Sequence, residues 1–385
     1  MQLDFHYYAT YCAAVLAGYS HADALQISYS AQFADNCTRT FLAGIHAPDA
    51  AATTQSTMEM ADTNLNKAGI ADITRIWASF HFLPYDLYAD APSGSKDFKN
   101  KYRLICRSNG ALLTDTVNLA KGGNLQAVGV AMHVLADTWA HANFAGTPSM
   151  MVNDTNYHFY EYIRENGEWI RRKVQFGLGS EENLEQGRYI NTISTKTETS
   201  IMSLGHGQAG HLPDYSCLRY VYMPSWGRYE EIYKDNPSDY WHAFCQMIYA
   251  MKFLRGVVET FEPDHYDFDA AAPYEEEIKA IFEKRQLDDS ADWKALGEKI
   301  SGCEIEDFST EKYVTEYKNA GEEAKNETFL GKYFQAAMAH KVMVTEKIIA
   351  SGNTLAGKRL NYVKKGRWIR IDFKLPGRRS DNGNT

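Results

Sequence analysis

The segment Met132-His133-Val134-Leu135-Ala136-Asp137-Thr138-Trp139-Ala140-His141 constrains the fold more than any other part of the chain. It lies within Leu125 to Asn143, a stretch that is apolar nearly all round at helical periodicity and is therefore expected to be a central helix. Residues four apart on an α-helix stand one above another, so His133, Asp137 and His141 form a polar ladder along one face. Buried ionisable groups must be paired or bound to metal, which leaves a His-Asp-His hydrogen-bonded network or a set of metal ligands. The two imidazoles are separated by about 12 Å of helix rise, too far to share one ion whose His nitrogens sit at about 2.0 to 2.1 Å. The Asp137 carboxylate between them can instead bridge two ions about 3.5 to 4 Å apart, the layout of a two-metal hydrolytic site.

Other His and Asp residues fall on apolar helical stretches. His6, with Asp4 nearby, opens a helix from His6 to Gly18. Asp35 ends one from His21 to Asn36, with Ser20 as its N-cap. His81 ends one from Ala71 to Phe82, stopped by Pro84. Alone, each is more simply a satisfied core or surface residue. A further cluster, Gly205-His206-Gly207-Gln208-Ala209-Gly210-His211-Leu212-Pro213-Asp214, places His206, His211 and Asp214 in a glycine-rich loop, where the backbone can approach a ligand closely.

With only ten prolines in 385 residues, most of the first 260 reads as helix. Alternation around Asn166-Gly167 predicts an inserted β-hairpin, a candidate lid. Tyr240 to Arg255 is expected to be a core helix closing a domain over 1–262. Beyond it, charged amphipathic helices such as Tyr274 to Gln286 and Glu327 to Ala350 predict an appendage over 263–352, followed by a basic tail over 353–385. Within that tail Trp368 to Lys374 alternates like a strand, and Lys358 to Arg379 is a candidate contact for an anionic partner, RNA or lipid headgroup; the bland alternative is a terminal strand with a charged outer face. A formal charge of -9 disfavours binding of duplex nucleic acid over the whole surface. The six cysteines show no Cys-x-x-Cys pair and are expected to be reduced and mostly buried. No run approaches the roughly 20 apolar residues of a membrane span, and the start lacks a signal-peptide pattern, so a cytoplasmic location is expected.

The order His6, Asp35, His81, His133-x-x-x-Asp137, then further His and Asp, resembles the superfamily of zinc-dependent bacterial phospholipases C and single-strand-specific nucleases. The resemblance implies an all-α multi-helix bundle with a cleft for two or three zinc ions. It further implies that Asp35, His81 and His133 ligate the first ion, that Asp137 bridges, that His141, His211 and Asp214 serve the second, and that His6 serves a third. Characterised relatives use a terminal Trp at the third ion; here the chain reads Met1-Gln2-Leu3, and Asp4 is the nearest substitute. More closely, the blocks Asp4 to Ser20, Ile73 to Asp86, His133 to Pro148, Leu204 to Ser216 and Asp235 to Gly256 resemble an uncharacterised bacterial family of unknown function.

The expectation is a metal-dependent hydrolase of phosphoester bonds, acting on a phospholipid or a nucleotide or nucleic-acid phosphodiester. Asp137 would be the catalytic bridging residue, with Arg75 or Arg219 available to stabilise a leaving oxygen. The rival is a non-catalytic helical protein whose metal ions are structural and whose charged helices bind a protein partner.

Overall fold

The structure, a computed structural model, describes residues 1–62, 67–177, 181–191 and 204–355, and the backbone of two strands at 359–365 and 368–374. It is mostly helical, with a small antiparallel sheet. The helix expected from Leu125 is present as Leu125–Ala140. Asn124 caps it, its side chain accepting from the Ala127 amide at 2.9 Å, which satisfies one of the amide donors a helix start leaves free. Almost every residue from Val128 to Ala140 is buried. The helix is central because other helices cover it on several sides: His21–Phe33, Lys67–Phe80, Ala111–Ala120, Asn236–Leu254 and Phe329–Ala350 all pack against it.

Gly129 brings the central helix into backbone contact with the His21–Phe33 helix. A Cβ there would lie 2.4 Å from the Ile27 carbonyl oxygen and 3.0 Å from the Ala31 amide nitrogen, so only glycine lets these two backbones meet. The first helix begins irregularly. Across Asp4–Ala9 it is wound as a π-helix, with the Thr10 amide reaching back five residues to the Phe5 carbonyl, before α-helical winding takes over at Thr10–Leu16. Such widened turns recur at functional sites, and His6 lies inside this one.

The Asn166-Gly167 turn joins strands Phe159–Glu165 and Glu168–Lys173 with Glu165 opposite Glu168. Both turn residues have positive φ, 49° and 88°, the geometry whose twist matches a two-residue hairpin. The hairpin does not stand alone: Arg219–Tyr222 pairs with its first strand and Ile232–Asp235 with Arg219–Tyr222, giving a four-stranded antiparallel sheet. At the far end of the chain Trp368–Lys374 is a strand, as its alternation predicts, and it pairs antiparallel with Arg359–Lys365, a strand not anticipated from the sequence. The side chains of the basic tail lie outside the described residues.

The C-terminal helices expected as an appendage share the core of the helices before them. Phe282, Trp293, Tyr333 and Phe334 are buried in the same continuous core as Phe5, Tyr240 and Trp139. Trp293 stands edge-on to Phe5 with ring centroids 6.4 Å apart, and Phe5 is edge-on to Tyr240 at 5.0 Å. Their Glu/Lys patterning describes only the outer faces of these helices. A second, smaller core of Phe82, Phe144, Phe159, Tyr189, Leu212 and Tyr222 lies under the sheet, and Trp77 packs against both cores. The sheet is tied to the C-terminal helices through Glu161, a fully buried carboxylate that accepts from Arg172 Nε at 3.0 Å, the Tyr189 hydroxyl at 2.7 Å and Arg285 Nη2 at 2.6 Å. No disulfide occurs; five cysteines are buried and Cys303 is half-buried. Among the described residues no helix is long and apolar enough to cross a membrane.

Candidate metal centre

The polar ladder of the central helix faces Asp35 and His81. Three groups of side chains converge there, each with its ligand atoms within 4.8 Å of one another: His6, His133 and Asp137; Asp35, His81 and His133; and His141, His206 and Asp214. Asp137 lies at the middle. Its Oδ1 is 3.1 Å from His6 Nε2. Its Oδ2 is 3.1 Å from His81 Nδ1, 3.4 Å from His133 Nε2 and 3.5 Å from His141 Nδ1. Asp35 approaches from the end of the second helix, 3.7 Å from His81 Nδ1 and 3.9 Å from His6 Nε2.

The main chain fixes which imidazole nitrogens carry protons. His81 Nε2 lies 3.1 Å from the carbonyl oxygen of Thr53, and His141 Nδ1 lies 2.8 Å from that of His81. A carbonyl can only accept, so both nitrogens are N–H donors. In the neutral rings the opposite nitrogens are then lone pairs, and both point into the cluster. His81 Nδ1 meets Asp137 Oδ2 and, at 3.3 Å, His133 Nε2; His141 Nε2 meets Asp214 Oδ1 at 3.0 Å. Acceptors facing acceptors at these distances need a cation or proton between them. Donation of the second ring nitrogen to a carbonyl is also how metal-binding histidines are commonly oriented.

A positive charge is in fact present at one corner. The Met1 amino group is buried 2.9 Å from Asp137 Oδ1, 3.2 Å from Asp214 Oδ1 and 3.5 Å from His141 Nε2. Burial works against its charge, yet the carboxylates of Asp137, Asp214 and Asp35 outweigh that and push it up to about 11. Burial opposes ionisation of Asp137 and Asp214 too. His141, the amino group, His133 and His6 nonetheless hold Asp137 well below the usual carboxylate range. The amino group, His206 and His141 do the same for Asp214. Burial pulls His133 well below the usual imidazole value and His206 to about 4, leaving both neutral and able to ligate near pH 7. His6 Nδ1 and His133 Nδ1 are buried with no hydrogen-bond partner. The donor set, imidazole nitrogens with carboxylate oxygens, suits a borderline divalent ion such as zinc. These buried His and Asp groups could hold a metal ion.

Not every candidate joins the cluster. His211 stands apart, half exposed, with Nδ1 3.5 Å from Glu182 Oε2, and that contact raises it above the usual imidazole value. His206 takes the place beside His141 and Asp214 that the superfamily resemblance gives to His211; its Nε2 is 3.8 Å from Asp214 Oδ2. Asp4 turns away from His6. Its Oδ1 accepts from the Phe5 amide at 2.7 Å and its Oδ2 from the Asp289 amide at 3.3 Å, and burial together with Asp289 pushes its carboxyl up to about 7. Arg75 pairs with Asp72, and Arg219 with Asp235 and Glu283, so neither contacts the cluster. The amino group of Met1 was not among the candidates: the superfamily pattern looks for Trp at that place, and no helical periodicity extends to it.

Beside the cluster opens a cavity of about 230 Å³, whose lining includes Met60, Trp77, Phe82, Leu204, His206 and His211. Phe82 stacks on His141 with centroids 4.8 Å apart and lies 5.6 Å from His206, so the cavity wall and the third ligand group share side chains. No residue of the Asn166 hairpin is among the described residues lining it.

Comparison with known proteins found no match among curated proteins or among solved structures. A family model described as a family of unknown function (DUF6765) matches residues 1–348, a span that takes in every residue of the cluster and the C-terminal helices packed around it, and the chain belongs to that family.

Proposed function

We propose that the chain is a metal-dependent hydrolase of phosphoester bonds, with zinc held by the three ligand groups that meet at Asp137. The observation that carries this reading is the pair of imidazoles, His81 and His141, pinned by main-chain carbonyls so that their free nitrogens face carboxylates. Asp35, His81 and His133 would hold one ion, His141, His206 and Asp214 a second, and His6 with Asp137 the place of a third. When bound, such ions supply an activated water near neutral pH and neutralise charge on the non-bridging phosphoryl oxygens. Asp137 spaces the ligand groups, its two oxygens facing different imidazoles. His206, which also lines the adjoining cavity, gives a substrate access to the cluster. The apolar walls at Trp77 and Phe82 would exclude water and receive the organic part of the ester.

The test is elemental analysis of the purified chain, paired with turnover of bis(p-nitrophenyl) phosphate with and without chelator. About two or more zinc ions per chain and chelator-sensitive turnover support the reading. A full complement of metal with no turnover on any phosphodiester or phospholipid would favour closed, structural ions instead.

A further inference from the structure

A second cleft, of about 690 Å³, lies between the helix that ends near His81 and the long C-terminal helix Phe329–Ala350. It shares no lining residue with the metal centre or with the cavity beside it. Lys341 lines this cleft although it is only 8% exposed, and its Nζ has a single hydrogen-bond partner, the Ala52 carbonyl oxygen at 2.7 Å. Among the described residues no carboxylate pairs with it. The ammonium also lies over the Phe80 ring, 6.0 Å from its centroid, and of its three donors two have no hydrogen-bond partner. Arg39 and Arg75 line the same cleft and share one carboxylate, Asp72, at 3.1 and 2.9 Å. Burial, with both guanidiniums close by, pulls the Lys341 ammonium down to about 8. Thr345 stands one helical turn beyond Lys341, on the same side of the helix, and its hydroxyl is buried with no partner. Asp49 and Glu346 also line the cleft, but both are exposed.

Three cations and three carboxylates, Asp49, Asp72 and Glu346, line the cleft, but none of these carboxylates pairs with Lys341, whose free donors stand with an idle hydroxyl and apolar walls at Ile76, Met338 and Ile349. A phosphoryl oxyanion would accept from those donors, and guanidinium groups recognise one well. The space is much larger than a bare phosphate needs. We propose that this cleft binds a small phosphomonoester, its phosphoryl group held by Arg39, Arg75, Lys341 and Thr345 and its organic part lying along Ile76, Met338 and Ile349. The proposal does not rest on the activity of the metal centre.

Calorimetric titration of the full chain with phenyl phosphate and, separately, with inorganic phosphate, both at constant ionic strength, tests it. Phenyl phosphate should bind about tenfold more tightly than inorganic phosphate, because its ring removes apolar wall from water. Lys341→Gln should weaken phenyl phosphate by about 10- to 100-fold and Thr345→Val by about fivefold, the range expected for a charge-assisted and a neutral hydrogen bond. Asp137→Asn, which disrupts the metal centre, should leave this binding unchanged. Should Lys341→Gln not fold, Thr345→Val carries the test, since it keeps the shape and removes no existing hydrogen bond. Binding lost in Asp137→Asn but retained in both cleft variants would place the ligand at the metal centre and overturn the proposal. Equal affinity for the two ligands would overturn the assignment to an organic phosphate, and absence of heat from either would overturn the site.

Discussion

His141 Nδ1 lies 2.8 Å from the carbonyl oxygen of His81, so the main chain that carries one imidazole of the cluster sets the tautomer of another. Fixing the ring in this way would lower the cost of binding an ion, because in the neutral ring the nitrogen facing Asp214 is the lone pair. The same logic holds at His81 through Thr53. Long-range ¹⁵N–¹H correlation spectra of chelator-treated protein near pH 7 should show His141 protonated at Nδ1 and His81 at Nε2. Adding zinc should shift Nε2 of His141 and Nδ1 of His81 while leaving the protonated nitrogens in place. The reverse tautomers would remove the argument for convergent lone pairs.

Gly129 offers a test in which two effects point in opposite directions. Glycine inside a helix costs about 1 kcal/mol relative to alanine, so Gly129→Ala would stabilise an unobstructed helix. Here the added Cβ meets main chain of the His21–Phe33 helix at 2.4 Å, and backbone cannot rotate out of the way. The expected outcome is destabilisation by about 2 to 3 kcal/mol in chemical denaturation, with reduced zinc content as Asp35, just beyond the His21–Phe33 helix, moves away from His133. Increased stability would show that the two helices are not in close contact.

His340 predicts an acid-sensitive step in stability that is separate from the metal centre. It is buried, its Nε2 donates to the Thr116 hydroxyl at 3.0 Å, and its Nδ1 has no partner. Burial pulls it from the usual imidazole value of about 6.5 to about 3. Between these values the unfolded chain takes up a proton that the folded chain refuses, so stability rises with pH there and is fully present above about 6.5. The slope is about 1.4 kcal/mol per pH unit. Denaturation midpoints measured in the presence of chelator from pH 4.5 to 7.5 should fall more steeply on acidification for the wild type than for His340→Leu; equal slopes would contradict this assignment.

The sequence made the central helix and its ladder legible because burial and helical period coincide there: nothing else explains two imidazoles and a carboxylate four residues apart among Val, Ala and Leu. Asp35 and His81 were legible for the same reason, each ending an apolar helix. The Asn166-Gly167 turn was readable from local chemistry, since both residues tolerate positive φ. What was not legible depends on distant contacts. His206 lies beside His141 and Asp214 while His211 contacts Glu182, and loop spacing carries no trace of that long-range difference. The C-terminal helices read as an amphipathic appendage because glutamate and lysine dominate their outer faces; that Trp293 and Tyr333 join the same core as the earlier helices depends on long-range packing. Asp4 sits near His6 in sequence, but its partner is Asp289.

The most direct test of the account is zinc content after exposure to zinc and exhaustive dialysis, with the thermal midpoint measured beside it in excess free zinc and in chelator, for wild type and Asp137→Asn. Binding to the folded chain alone stabilises it by about 4 kcal/mol when free zinc exceeds its dissociation constant a thousandfold, an increase of about 5 °C for a chain of this size. The account predicts about two or more ions per wild-type chain, a midpoint that chelator lowers by that amount, and loss of more than half of the metal in Asp137→Asn with helical circular dichroism retained. Wild-type protein that emerges from dialysis without zinc, and with a midpoint indifferent to chelator, would contradict it.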